Sequence, residues 1–406
     1  MRASVAAQEV LRSKNQRDKA MILKSSHMAE AVEPSLSRHL FNLAKQYDDV
    51  IDLTLGDPDL VPNQMVRDGA CAGIQLGNTR YSANAGLPEL REVIADCVSS
   101  EYRMPVDPTS DVIVTVGGME ALFLGLAATV DPGDEVIVFA PYYVNYIQMI
   151  RMCGAVPKLV WTLPEEGFSW SREQLESQLS ERTVAIIVNS PCNPTGRVFT
   201  SGELDVIAQV AKERDLLVIS DEVYKTLVFD GRTHDSILLR DGMSERTLLV
   251  DSVSKRFSMT GYRLGFAVGP KDIITNMTKM QENVAACAPL PSQHAALVAY
   301  SECASDTWIQ EEFEKRRNVL CDGLAGLSGI SFIRPDATFY LWADISGTGL
   351  SCMDFAYQLL ESQHVAVVPG VTYGERYDEY VRIAFTHRAE VLVDAVRRIT
   401  SFVNSL

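Results

Sequence analysis

Leu248-Leu249-Val250-Asp251-Ser252-Val253-Ser254-Lys255 runs from a short apolar stretch into a polar one that ends on a lysine, and Thr260-Gly261-Tyr262-Arg263-Leu264-Gly265 follows closely. The apolar part is too short for a helix and consists of Leu and Val, which reads as a strand buried on both faces. The pattern recurs upstream. Residues 112–116 lead into Gly117-Gly118-Met119-Glu120, residues 184–188 into Asn189-Ser190-Pro191-Cys192-Asn193-Pro194-Thr195-Gly196, and residues 216–219 into Ser220-Asp221-Glu222 with Tyr224 close behind. Residues 135–139 form one more such run, and amphipathic stretches at 87–102 and 203–214 separate the runs. This alternation predicts an α/β domain with a parallel or mixed sheet, and in open sheets of that kind ligands collect at the carboxyl ends of the strands.

Working outward, the chain of 406 residues is 47% hydrophobic and 22% charged, enough for a large core in two or more units. Its formal net charge of −16 argues against a general nucleic-acid or anionic-membrane surface, while leaving room for a local anion pocket. No run is apolar enough to span a bilayer and no secretory signal pattern is present, so a cytoplasmic protein is expected. The eight cysteines are scattered without metal-ligand spacing and read as free thiols; no metal site is expected. Residues 1–30 carry several basic residues among small and polar ones and read as an appended flexible arm, with Glu9 and Asp18 interrupting any targeting-peptide pattern. Past residue 299 the pattern changes to a polar helix over 306–324 and strands at 330–333, 339–344 and 381–385, a smaller α+β unit. The expected division is therefore 1–30 arm, 31–69 with 300–406 small domain, and 70–299 large domain.

The polar residues at the strand ends supply an amide, a carboxylate, a phenol, a lysine and an arginine. A glycine pair entering a helix offers free backbone N–H groups to a phosphate, although such a pair alone fits a tight turn equally well. A heterocycle with a phosphate, a ring nitrogen, a phenolic oxygen and an aldehyde needs this set of partners, and pyridoxal 5'-phosphate (PLP) is such a molecule. Asn193-Pro194-Thr195-Gly196, Asp221-Glu222-Val223-Tyr224, and Ser252-Val253-Ser254-Lys255 with Gly261-Tyr262-Arg263-Leu264-Gly265 resemble the class I/II aminotransferases of PLP fold type I. Leu55-Gly56-Asp57-Pro58, Tyr81 with Gly86-Leu87-Pro88, and Val381-Arg382-Ile383 extend the resemblance from about residue 51 to the C-terminus. It implies a large domain whose mixed, mostly parallel sheet is flanked by helices, plus a smaller α+β domain.

Residue by residue, Lys255 resembles the Schiff-base lysine, which holds PLP as an aldimine and shuttles the substrate proton. Asp221 resembles the partner of the pyridine nitrogen, and Tyr224 and Asn193 the donors to the phenolic oxygen. Gly118, Met119, Ser252 and Arg263 resemble the phosphate cup, to which Tyr81 of a neighbouring subunit adds a contact, implying a homodimer. Tyr143 resembles the aromatic residue stacked on the ring. Arg382, with Gly56 and Asn193, resembles the grip on the substrate α-carboxylate. Without the resemblance, Lys255 and Arg382 would read as surface cations, Asp221 as a helix cap, and the tyrosines as core. The sequence departs from the family at Ala337-Thr338-Phe339-Tyr340, where Gly-Ala-Phe-Tyr is usual, and Thr338 is expected to reshape the pocket wall. No second cation stands near Phe123-Leu124-Gly125 for a distal carboxylate, which leaves aromatic and aliphatic amino donors open.

The expected activity is a ping-pong transfer of an amino group from an L-amino acid to a 2-oxo acid. A PLP-dependent lyase or synthase could use the same shell, because all such reactions begin with loss of the Cα proton. Ser252-Val253-Ser254-Lys255 also fits the Ser-x-x-Lys pattern of penicillin-binding hydrolases, but the partner motifs Ser-Asp-Asn and Lys-Thr-Gly are missing.

Overall fold

The computed structural model describes residues 25–34, 36–77 and 79–406. The expected N-terminal arm falls largely outside them, apart from a short helix, His27–Ala31, capped by the Ser26 side chain.

The five predicted apolar runs all become strands of one seven-stranded sheet. In chain order its strands are β2 (Val112–Thr115), β3 (Glu135–Ala140), β4 (Val156–Trp161), β5 (Thr183–Asn189), β6 (Leu217–Asp221), β7 (Thr247–Ser252) and β8 (Gly265–Val268), arranged β2-β8-β7-β6-β5-β3-β4. Only β8 runs antiparallel to its neighbours. The sheet is thus mixed and mostly parallel, as expected. β2, β3 and β7 are buried at every position, because helices cover both faces and each face must be apolar. Helix Pro88–Tyr102 starts with proline at its first position, where no backbone donor is lost, and stops at Arg103 in the left-handed conformation. Helix Ser201–Glu213 opens with a capping box in which Thr200 and Glu203 satisfy each other's backbone N–H groups.

The C-terminal part builds a four-stranded antiparallel sheet, β12-β13-β10-β9, from β9 (Ser331–Phe332), β10 (Tyr340–Asp344), β12 (Val368–Pro369) and β13 (Tyr380–Ala384). Beside it, β1 (Ile51–Asp52) pairs in parallel with β11 (Val365–Ala366). Helix Trp308–Leu324 packs on helix Ala389–Val403, and Phe313, Leu320, Phe339, Leu341, Phe355 and Ile383 fill the core between them and the sheet. Each such fully buried side chain contributes roughly 1.5–3 kcal/mol, so this core holds the C-terminal unit together. Between β1 and the large sheet lies the segment 53–60. Among the described residues no helix is long and apolar enough to cross a membrane.

Candidate active site

A cavity of about 510 Å³ opens at the carboxyl ends of β2, β5, β6 and β7, closed on its far side by β10, β13 and the 53–60 segment. Its wall includes Gly56, Gly118, Met119, Tyr143, Asn193, Asp221, Tyr224, Ser252, Lys255, Arg263 and Arg382. All the site residues expected from sequence therefore meet there except Tyr81. That side chain is 84% exposed and lies outside the cavity wall.

β6 ends on Asp221, which is 3% exposed; its carboxylate accepts a hydrogen bond of 2.5 Å from Tyr146 and one of 3.3 Å from the Val223 backbone. Burial pushes its carboxyl up to about 6, and the Tyr146 hydroxyl holds it from rising further. The next residue turns the other way. Glu222 accepts from Tyr102 (2.7 Å), Ser236 (2.5 Å) and Ser220 (2.8 Å) and pairs with His234 (2.7 Å). Burial opposes ionisation there, yet His234, Lys225 and Ser236 outweigh it and hold Glu222 down at about 2. Lys225 in turn bridges Glu101 (2.9 Å) and Asp251 (3.2 Å), tying the end of β6 to the end of β7 from behind the cavity.

β7 delivers Ser252 and, one turn later, Lys255. The Lys255 amine is lowered to about 8 by burial, with Arg382 and Arg263 adding repulsion, and it donates to the Gly56 carbonyl at 2.7 Å. Arg263 takes the left-handed conformation and donates to the Thr260 carbonyl at 2.8 Å, which aims the guanidinium at the turn after β2. There Gly117 has a φ of +86°, and a Cβ on it would stand 2.5 Å from Arg263 Nη2. Only glycine leaves this approach open.

β5 ends in Asn189, whose side chain donates to the Asp221 carbonyl and accepts from the Asn193 backbone at 3.0 Å. Arg382 on β13 donates to Asn193 Oδ1 at 3.1 Å and to the Thr54 carbonyl, and lies 4.2 Å above the Tyr340 ring. Among the described residues its Nε is buried without a hydrogen-bond partner. Tyr224 shares a hydrogen bond of 3.1 Å with Tyr340. The Tyr143 hydroxyl donates to the Met119 sulfur at 3.3 Å, and Asn145 donates to that hydroxyl at 2.8 Å.

Tyr146, Tyr340, Tyr373, Asn189 and Thr54 complete the wall or its backing and were not singled out from sequence. Asn189 and Tyr340 stand inside stretches quoted above without a role, and Tyr146 left a trace of its own, three residues after Tyr143 where a helix begins. Thr338 departs from expectation. It is fully buried outside the cavity wall, with φ +69°, and its hydroxyl accepts from the Tyr340 backbone at 3.2 Å.

The family model for "Aminotransferase class I and II" matches residues 48–399. The chain belongs to the class I and II aminotransferases. This aminotransferase is 38% identical to an aspartate aminotransferase of Pyrococcus abyssi, over 92% of this chain and 97% of that one. It is 36% identical to aromatic-amino-acid aminotransferase 2 of Thermococcus litoralis, again over 92% and 97%. Among solved structures, the aspartate aminotransferase of Thermus thermophilus with maleate superposes with a TM-score of 0.88 at 36% identity, covering 94% of this chain and all of that one. The aminotransferase thus has the PLP type I fold, and amino-group transfer is its activity.

Proposed function

We propose that this aminotransferase binds PLP in the cavity, with Lys255 as its covalent anchor, and moves an amino group from an L-amino acid to a 2-oxo acid by a ping-pong mechanism. The observation that carries this reading is the convergence of Lys255, Asp221 and Arg263 on one wall, each with its partners in place. The residues fit the cofactor. A cradle that a Cβ at Gly117 would fill faces the Arg263 guanidinium, Ser252 and the backbone of Gly118 and Met119 stand beside it, and a buried carboxylate waits where a ring nitrogen needs one. Tyr224 and Asn193 would face the phenolic oxygen, and Tyr143 the ring.

Bound there, PLP supplies an aldehyde that captures an amino group and a ring that takes up the electron pair left at Cα. The protein's own groups do the rest. With the Lys255 amine lowered to about 8, roughly one molecule in ten carries it neutral at pH 7, free to act as nucleophile and then as the base that takes the Cα proton at Nζ. Asp221, raised only to about 6, is about nine-tenths ionised at pH 7 and would hold a proton on the ring nitrogen of a bound cofactor. Arg382 presents a planar fork to the α-carboxylate, with Gly56 and Asn193 beside it, and the unpartnered Nε is a further donor there. Tyr143, Tyr340 and Tyr373 shield this corner from water.

Among the described residues the lining has three cations, all given roles by this reading, so within one chain an uncharged amino-donor side chain fits best. Relatives named for aspartate and for aromatic amino acids supply the two classes to compare. The same reading makes the protein a cytoplasmic homodimer in which exposed Tyr81 reaches the partner's phosphate site, and it divides the chain into a large domain at 70–299 and a small one at 31–69 with 300–406.

The test is the visible absorption spectrum of purified protein before and after a pool of amino acids is added without oxo acid. A bound-cofactor band that shifts to the pyridoxamine form, with release of a 2-oxo acid, is the expected result. An unshifted band with ammonia or another product appearing would point to a lyase, and no band after added PLP would sink the cofactor assignment.

A further inference from the structure

Helix Trp308–Leu324, expected as a polar helix over 306–324, buries two adjacent arginines, Arg316 at 2% and Arg317 at 1% exposure. Burying a guanidinium is costly, and a buried ion pair is poor evidence of stabilisation, because a well-packed apolar side chain often serves stability as well or better. What a buried fork specifies is geometry. Arg316 donates to Glu312 (2.8 Å) one turn back on its own helix, to Asp59 (2.7 Å), and to the backbone carbonyl of Thr386.

Both distant partners adjoin the substrate site. Asp59 lies three residues after Gly56, and Thr386 four after Arg382. The two are also tied to one another: the Asp59 backbone N–H donates to the Thr386 carbonyl, and the Thr386 hydroxyl donates to the Leu55 carbonyl at 3.2 Å. The 53–60 segment is held on its other side by the large unit, through Lys255 on Gly56, Thr260 on Asp57 (2.6 Å) and Ser258 on Leu60 (2.7 Å). Among the described residues, Arg316–Asp59 is the one ion pair this segment makes.

We propose that Arg316 is a positioning residue for the substrate α-carboxylate site: by gripping Asp59 and the Thr386 carbonyl together, it keeps the backbone at Gly56 in register with Arg382. This rests on the reading of Arg382 and Gly56 as the carboxylate site. The guanidinium touches neither substrate nor cofactor, so its loss acts first on substrate binding and spares the phosphate cup.

The experiment compares wild type, Arg316→Met, Arg316→Lys, Asp59→Asn and Arg382→Ala. Each is assayed for KM and kcat with whichever of L-aspartate or L-phenylalanine the enzyme turns over and 2-oxoglutarate as acceptor, alongside the PLP dissociation constant by absorbance and thermal stability. Arg316→Met is expected to raise KM for both substrates about tenfold while kcat stays within about threefold and PLP affinity within about twofold. Arg316→Lys should fall between, because one ammonium keeps the charge but cannot reproduce the fork. Asp59→Asn weakens the same link from the exposed side, in a chain whose core is untouched, and should raise KM several-fold. Unchanged KM in Asp59→Asn and in any folded Arg316 variant, with only lower thermal stability, would overturn the proposal. So would a parallel fall of kcat and PLP affinity. If Arg382→Ala leaves KM unchanged, the carboxylate assignment itself fails and the proposal falls with it; if Arg382→Ala raises KM and the other variants do not, only the role of Arg316 is lost.

Discussion

Replacing Asp221 by Asn should make the cofactor-free protein more stable while depriving it of its chemistry. The Asp221 carboxyl stands at about 6 in the folded chain against an ordinary 3.8, with burial as the main cause. Because the folded value lies above the unfolded one, the folded chain holds the extra proton between about pH 4 and 6, and stability falls as pH rises through that window. The full difference corresponds to about 3 kcal/mol of destabilisation once the carboxylate is ionised, as it is at pH 8. Asparagine carries no charge to desolvate and keeps an oxygen to accept the Tyr146 hydroxyl, now 2.5 Å from Asp221. The cofactor-free Asp221→Asn protein should therefore exceed wild type by up to about 3 kcal/mol at pH 8, and by about half that at pH 5, where the wild-type carboxyl is largely protonated. Denaturant unfolding of both proteins, stripped of cofactor, at the two pH values measures this directly. A gain of equal size at both pH values, or no gain at pH 8, would refute the view that a buried, cofactor-directed charge is held here at the expense of stability.

Lys255→Ala should abolish turnover and the covalently bound absorption band while the fold persists; a variant cycling at the wild-type rate would remove Lys255 from the centre. Gly117→Ala places a methyl 2.5 Å from the Arg263 guanidinium at a φ of +86°, and should weaken PLP binding by tenfold or more, read by absorbance titration. Tyr81→Ala and Lys255→Ala, each impaired alone, should regain activity when mixed and reassembled, because the mixed pair contains one intact site; absence of recovery would confine each site to one chain.

The strand-end residues were legible because a doubly buried strand is written as a short apolar run, and whatever follows it must lie at the sheet's edge, where a ligand can reach. That logic located Asp221, Asn193, Ser252 and Lys255 without any knowledge of packing. It missed β8, whose Gly265–Val268 run is hidden behind the Arg263 turn and runs antiparallel, and β4, an edge strand interrupted in pattern by Pro157 and Lys158. Tyr146 and Tyr340 escaped because their roles depend on partners 75 and 116 residues away. The burial of Arg316 and Arg317 escaped for a similar reason: a charged helix face looks solvated until the segments carrying Asp59 and Asp230 close over it. Thr338 shows the converse. The substitution was visible, but its displacement from the wall was set by one backbone hydrogen bond to Leu227 and by the bridge from Ala337 to Val228.

The pairing of β1 with β11 joins residues more than three hundred positions apart. During synthesis, Ile51 leaves the ribosome long before Val365 exists. The strand just before Gly56 must wait for this partner while the whole large sheet is made and can fold. Lys255 and Asp221 can therefore take their places before Arg382 and Gly56 meet, and on the proposed reading a nascent chain holds the cofactor side of its cavity before the side that takes an amino acid.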